Sequence, residues 1–441
     1  MSSLGPLRAK RLAPSWIERG AGEGGRWPGW VSSSLRAAFP AWLVARVVVA
    51  AALVSARIVA PHIHHATGLA SSTARAHEGL LAWDAGWYES ITRAGYWGAG
   101  HSSLRFFPLV PLLARVVAFL PGIGAGTGLL IVSNAAALVA GALVFELARR
   151  ETGDCSLART STWLIALAPP AFVLVMGYSE STLLVLAVGV FVLMRTRRRS
   201  NEGGCQSSGP PPRRWWLVAL LGFLAGLARP LGVLLAIPIA IEALRGSVVG
   251  IRLGIREPGG QATERQATGG QATRGQATGG QAARLAAVAS APLGTAAYLG
   301  WVGWRYGNAL APVDIQTEAR HHGGLADPVT TVARALADLV TGHHLGVGEH
   351  AIWVAVAVVL LVWCLRRWPI SYGAFAGAIV AVAVTGTNLA SFERYALSAF
   401  PLVLTAAVLL RSRRGARWVV VLSALAMGGY ALLAFLGFYV P

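Results

Sequence analysis

The feature that most constrains this chain is a succession of long apolar stretches, each bordered by a short cluster of arginines. AWLVARVVVAAALVSARIVA, residues 41–60, belongs to the first of them. A helix needs about 20 apolar residues to cross the hydrocarbon of a bilayer, and only a helix or a closed barrel satisfies its backbone there. Stretches of helical length recur at about 39–60, 126–148, 160–177, 179–195, 214–228, 230–245, 284–306, 351–366, 370–388, 395–411 and 416–439. The expectation is an all-α polytopic membrane protein of about 11 transmembrane helices, within a range of 9–13. A 55% hydrophobic content, 13% charged residues and a mean hydropathy of +0.56 exclude a soluble globular domain.

The net charge of +19 would point to nucleic acid in a soluble protein. Here the arginines flank apolar runs, where they set orientation, so no nucleic-acid partner is expected. The loops holding Arg149, Arg150 and Arg159, then Arg195 and Arg197 to Arg199, then Arg245 to Arg284, then Arg366 and Arg367, then Arg411 to Arg417 fall on one side if Phe106–Leu120 does not cross. That run, opened by Pro108 and Pro111 and carrying Arg115, therefore reads as a helix in the outer interface. Residues 1–38 become a basic cytoplasmic extension without a cleavable signal peptide, and 39–441 a multi-pass domain of the cell membrane. Two long segments, 61–125 and 307–350, lie on the outer face. The five-residue repeat within 246–283 has no apolar period and reads as a disordered cytoplasmic linker. Cys155, Cys205 and Cys364 show neither a disulfide framework nor zinc spacing.

Polar residues that are costly near lipid collect on the outer side. In LAWDAGWYESITRAGYW, a helix over Leu80–Ala94 would line up Leu80, Trp83, Trp87 and Ile91 as an interfacial stripe, with Asp84 and Tyr88 on the adjoining face. Asp84 is then either an acid near the start of an anchoring helix or a carboxylate poised at the bilayer surface. Tyr178–Ser179–Glu180–Ser181 interrupts an apolar stretch, placing Glu180 in a wet turn or a paired site. Arg229 in GLARPLG has no acidic neighbour in sequence and calls for an anion, for which a lipid phosphate is suited. In SFERY, Glu393 and Arg394 point about 100° apart on a helix, and Arg394 is a snorkelling cation or a second phosphate ligand. Arg105 joins this set. Gln316, Glu318, Arg320, His321, His322, His343, His344 and His350 lack compact ligand spacing, so acceptor contacts or a solvated loop are preferred to metal. No Walker loop or dinucleotide glycine motif is present, and no cofactor is required.

WDAGWYESITRAGYW, RFFPLVPLLARV, NAAALVAGALVFELARR, APPAFVLVMGYSES, GFLAGLARPLG and SFERYALSAFPL occur in the order and approximate spacing of the PIG-V-like mannosyltransferases. The chain resembles this family, part of the GT-C superfamily of multispanning glycosyltransferases, from about Trp83 to Pro401. The resemblance implies a GT-C bundle whose first outer loop, with its interfacial helices, carries a catalytic aspartate, Asp84. It implies a polyprenyl-phosphate mannose donor used on the non-cytoplasmic face. Arg229, Arg394 and Arg105 become donor phosphate or headgroup contacts. Glu180, Tyr88, Trp83, Tyr178 and Glu393 become sugar or acceptor contacts, the acceptor being a glycolipid or another hydroxyl. The expected reaction is an inverting displacement with Asp84 as general base. A transporter or lipid flippase, another polyprenyl-phosphate sugar and a protein acceptor are the competing readings.

Overall fold

The computed structural model describes residues 29–67, 73–195, 212–245, 274–318, 323–341, 345–387, 389, 391–410 and 413–439. The helices are α1 (Gly29–Thr67), α2 (Thr73–Glu78), α3 (Asp84–Ala99), α4 (Leu109–Ala118), α5 (Ala125–Thr152), α6 (Cys155–Leu167), α7 (Glu180–Met194), α8 (Pro212–Ala228) and α9 (Ala236–Leu244). They continue as α10 (Arg274–Tyr306), α11 (Ala311–Thr317), α12 (Pro328–Thr341), α13 (Leu345–Arg367), α14 (Ile370–Val384), α15 (Phe392–Ser398), α16 (Phe400–Leu409) and α17 (Arg413–Leu436). Among the described residues there is no strand, only an isolated bridge between Leu325 and Gly386.

Among the described residues five segments are long and apolar enough to cross a membrane: Val31–His62, Ala125–Thr152, Gly280–Tyr306, Gly348–Arg367 and Arg414–Leu436. A sixth arises if α15 and α16, bent by 81° at their junction, count as one broken span. Five further apolar helices among the described residues are shorter: α4, α7, 214–228, 230–244 and α14. Pro169 and Pro170 end the stretch that begins with α6 and turn it into a 3-10 segment, Pro169–Leu174, because proline supplies no N–H to continue an α-helix. Arg46 and Asn134 repair the break. The Arg46 guanidinium donates to Leu174 O at 3.2 Å and to Asn134 Oδ1 at 2.8 Å, and Asn134 Nδ2 donates to Val175 O at 3.0 Å. Carbonyls left open at such a break are costly unless the protein supplies donors.

α4 is about 15 Å long, half the hydrocarbon thickness, so Phe106–Leu120 does not cross by itself. Arg115 ties it to α3 by donating to Thr92 O and Ile91 O. Two other boundaries differ from the sequence reading. α1 begins at Gly29, inside the expected extension, and α10 begins at Arg274, inside the expected linker; residues 246–273 lie outside the described residues.

α8 and α10 pack along small residues. A Cβ added at Gly226 would strike the Ala291 carbonyl, and one at Gly294 would strike the Phe223 carbonyl, so the backbones touch where side chains would normally stand. That seam ends at Ala228 and fixes the position of the next residue, Arg229.

Candidate functional site

The site is assembled where helices break. Trp83, at φ 60°, and Ser391, at φ 68°, are the two non-glycine residues with positive φ among the described residues. Each stands at the head of a helix that delivers a charged side chain: Asp84 opens α3, and Glu393 and Arg394 lie in the first turn of α15. Such backbone costs on the order of 1–3 kcal/mol and persists only where the surroundings enforce it. The Trp83 indole donates Nε1–H to Ala434 O at 3.0 Å, and the Gly177 N–H donates to Leu80 O at 3.2 Å, holding both sides of the first break. The expected helix over Leu80–Ala94 is thus corrected. Leu80 lies in a 3-10 turn, α3 starts at Asp84, and Ile91 is buried in protein instead of facing a headgroup layer.

Tyr178–Ser179–Glu180 docks on the start of α3. The Asp84 N–H donates to the Tyr178 hydroxyl at 3.3 Å, and the Tyr88 hydroxyl donates to Ser179 Oγ at 2.7 Å. Glu180 opens α7 and is 1% exposed. Arg229 sits at the break between α8 and the 3-10 turn Pro230–Leu235.

Four charged side chains then meet. Arg394 Nη1 donates to Asp84 Oδ2 at 2.5 Å, and its Nε lies 3.2 Å from Glu180 Oε1. Arg229 Nη1 contacts the same Glu180 oxygen. Each of the two guanidiniums lies 5.5 Å from the Tyr395 ring centroid, and Arg394 also lies 5.4 Å from the Tyr178 ring. Proximity is not alignment here. Neither guanidinium N–H facing Glu180 makes a well-directed hydrogen bond, and Glu180 Oε2 has no hydrogen-bond partner. Leaving a buried polar atom unmatched is expensive, which marks this oxygen as a place for a ligand donor.

Asp84 is the accessible member, with its side chain 27% exposed. Enclosure works to raise its carboxyl, but the charges of Arg394 and Arg105, with the Arg394 hydrogen bond, outweigh it and hold the carboxyl below its ordinary value. Arg105 lies in the 3-10 turn His101–Arg105, with its guanidinium 4.7 Å from the Phe106 ring and 5.8 Å from that of Trp87. Burial pushes the Tyr88 phenol well up, so it remains a donor.

Glu393 is not brought to Asp84. It accepts from His350 Nδ1 at 2.6 Å and from the Tyr439 hydroxyl at 3.1 Å, on the other side of α15. The sequence gives no sign of these partners, because they come from α13 and the end of the chain. Of the loop residues considered for metal, Arg320, His321, His322, His343 and His344 lie outside the described residues. No group of three or more His, Cys, Asp or Glu side chains among the described residues is placed to hold a metal ion.

No family model and no curated protein matches the chain. Two solved structures of the Archaeoglobus fulgidus oligosaccharyltransferase align with it. The one in complex with Zn and sulfate has 16% identity and a TM-score of 0.36, over 76% of this chain and 45% of that chain. The one tethered with an acceptor peptide has 13% identity and a TM-score of 0.41, over 91% of this chain and 56% of that one. This chain spans about half the length of the structures it matches, and likeness at this level fixes neither fold nor activity.

Proposed function

We propose that the chain is a membrane glycosyltransferase with Asp84 as its general base. The observation that carries this reading is the pairing of a half-buried Asp84, held ionised by its arginine neighbours, with a buried Glu180 that has an unmatched oxygen, both set among arginines at one end of the bundle. Three guanidiniums, Arg105, Arg229 and Arg394, act on two carboxylates, leaving one positive charge for a phosphate. A transporter would instead favour charges paired at mid-depth of broken helices in related halves.

In the proposed reaction an acceptor hydroxyl gives its proton to Asp84 while its oxygen attacks the anomeric carbon. The bond from that carbon to the phosphate oxygen breaks, and the leaving phosphate keeps the electron pair. Arg394 holds Asp84 ionised but also weakens it as a base. As negative charge develops on the leaving phosphate, Arg394 is drawn toward it and Asp84 gains basicity when the proton must move. Glu180 Oε2 accepts a hydroxyl of the transferred sugar.

The finer assignment follows the six-motif resemblance: a polyprenyl-phosphate mannose donor, a glycolipid or other hydroxyl acceptor, and a site on the outer face. Purified enzyme in nanodiscs, supplied with radiolabelled polyprenyl-phosphate mannose and total lipid extract, should form a labelled product. Asp84→Asn should lower turnover by at least about 100-fold with the fold retained. Wild-type turnover in that variant removes Asp84 from the role.

A further inference from the structure

A second feature opens within one helical turn of Asp84. A cleft of about 420 Å³ is lined by Trp83 and Trp87, with Arg75, Glu78, Glu89 and Ser90. Its size lies in the range of roughly 300–1,000 Å³ typical of small-ligand sites. It does not contain the Glu180–Arg229–Arg394 cluster, and its walls differ in chemistry from that cluster.

Both indoles are half-buried and held in place. Trp83 is anchored on Ala434 O and carries the Arg75 guanidinium 4.4 Å from its ring; Trp87 stacks on Phe106 with ring centroids 6.0 Å apart. Arg75 in turn pairs with Glu78 at 3.0 Å, while the Glu89 carboxylate lies beside Gly126 in the first turn of α5. The cleft therefore offers rigid aromatic surface, carboxylate and hydroxyl acceptors, and one guanidinium donor. One arginine against two glutamates gives the lining a net negative charge, the opposite of the surplus beside Asp84. A phosphate group is favoured at the arginines and disfavoured here, whereas an uncharged polyol meets acceptors for its hydroxyls and indoles for its C–H faces.

We infer that this cleft binds the acceptor, and that the acceptor presents an uncharged, hydroxyl-rich sugar headgroup. The inference rests on the glycosyltransferase reading and adds to it the substrate class and Arg75, Glu78, Trp87, Glu89 and Ser90 as its contacts. Trp83 directly precedes Asp84 and Trp87 lies three residues beyond it, so the cleft adjoins the helix start that carries the Asp84 carboxylate.

The test uses the full chain in nanodiscs and saturation-transfer NMR with methyl α-mannoside and methyl α-glucoside, with choline as the cationic control. Wild type should transfer saturation to a glycoside and not to choline. Glu78→Gln, at a half-exposed position, and Trp87→Phe, which keeps a ring on Phe106, should each weaken that signal at least 5-fold. Asp84→Asn should retain it while losing turnover. Absence of a glycoside signal in wild type, equal signals in both cleft variants, or preferred binding of choline overturns the inference. Retained turnover in Asp84→Asn alongside an intact glycoside signal overturns the catalytic role of Asp84 and leaves the cleft standing.

Discussion

At one end of α7, Glu180 lies among Arg229 and Arg394; at the other, fifteen residues and about 22 Å away, Arg195 lies among Glu151 and Glu242. In the far cluster the carboxylates are matched. Glu242 contacts Arg245 at 3.1 Å and accepts from Ser371 Oγ at 2.5 Å, and Glu151 contacts Arg195 at 3.0 Å and accepts from the Tyr372 hydroxyl at 2.9 Å. Nearby, Glu146 takes hydrogen bonds from Arg149 and Arg150. Among the described residues, Glu180 is the acid whose buried oxygens lack a hydrogen-bond partner. A cluster that only holds helices together can satisfy every carboxylate, whereas one that binds a ligand keeps acceptors open until the ligand arrives.

The largest effect expected from this contrast is on stability at the far end. Glu242→Ala removes the acceptor of Ser371 and an ion-pair partner of both Arg195 and Arg245, and removing one partner from a buried ionic cluster costs about 3–5 kcal/mol. The thermal midpoint should fall sharply while turnover per folded molecule stays at the wild-type level. A fall in specific turnover would place the far cluster in the chemistry and dissolve the distinction.

Next comes Glu180→Gln, which keeps the shape and removes the charge. Turnover should fall on the order of 100-fold. Stability should fall less than in Glu242→Ala, because aligned hydrogen bonds are lost at Glu242 and none is lost at Glu180. A variant that melts early but turns over normally would make Glu180 a structural residue like its counterpart.

Much of this site was legible in the chain because charge is conspicuous in apolar surroundings. Asp84, Glu180, Arg229 and Arg394 were each singled out as polar residues interrupting or bordering apolar runs, and they converge although Asp84 and Arg394 lie 310 positions apart. Their pairing was not legible, since sequence holds no distance between separate breaks. The sequence suits Arg229 to a phosphate and leaves Arg394 as an interfacial cation or a second phosphate ligand, yet both are already drawn to Glu180. Hydropathy shows apolar content and not the breaks at Pro169, Pro230 and Ala399 that shorten helices. Arg75 and Glu78 carried no signal at all, lying on a six-residue helix with no period to read.

A smaller effect is expected from the pair behind α15. His350 and Tyr439 hold Glu393, and that contact orients the helix turn from which Arg394 reaches Asp84. His350→Ala should lower kcat about 10-fold with KM for the donor little changed, as expected when a reacting group is loosened without being removed. His350→Gln, which can still donate to Glu393, should recover most of the loss. Equal damage in both variants, tracking the loss of folded protein, would reduce the pair to packing.

The finest test concerns pH. The carboxyl of Asp84 is held low by Arg394 and then Arg105, so ionised Asp84 persists below the usual aspartate range, and the acid limb of kcat/KM should lie there too. The same depression contributes stability above the unfolded aspartate value, lost as pH falls through the lower folded value. Removing a positive neighbour weakens the depression while enclosure continues to act upward. The acid limb of residual activity should therefore move to higher pH in Arg394→Gln, and by a smaller step in Arg105→Gln, whose charge ranks second. The far cluster supplies the control: Arg195→Gln, at the other end of α7, should leave the limb where it was. An acid limb that ignores Arg394 and Arg105 but follows Arg195 would show that the titrating group is not Asp84, and would move the site to the cluster that looks structural.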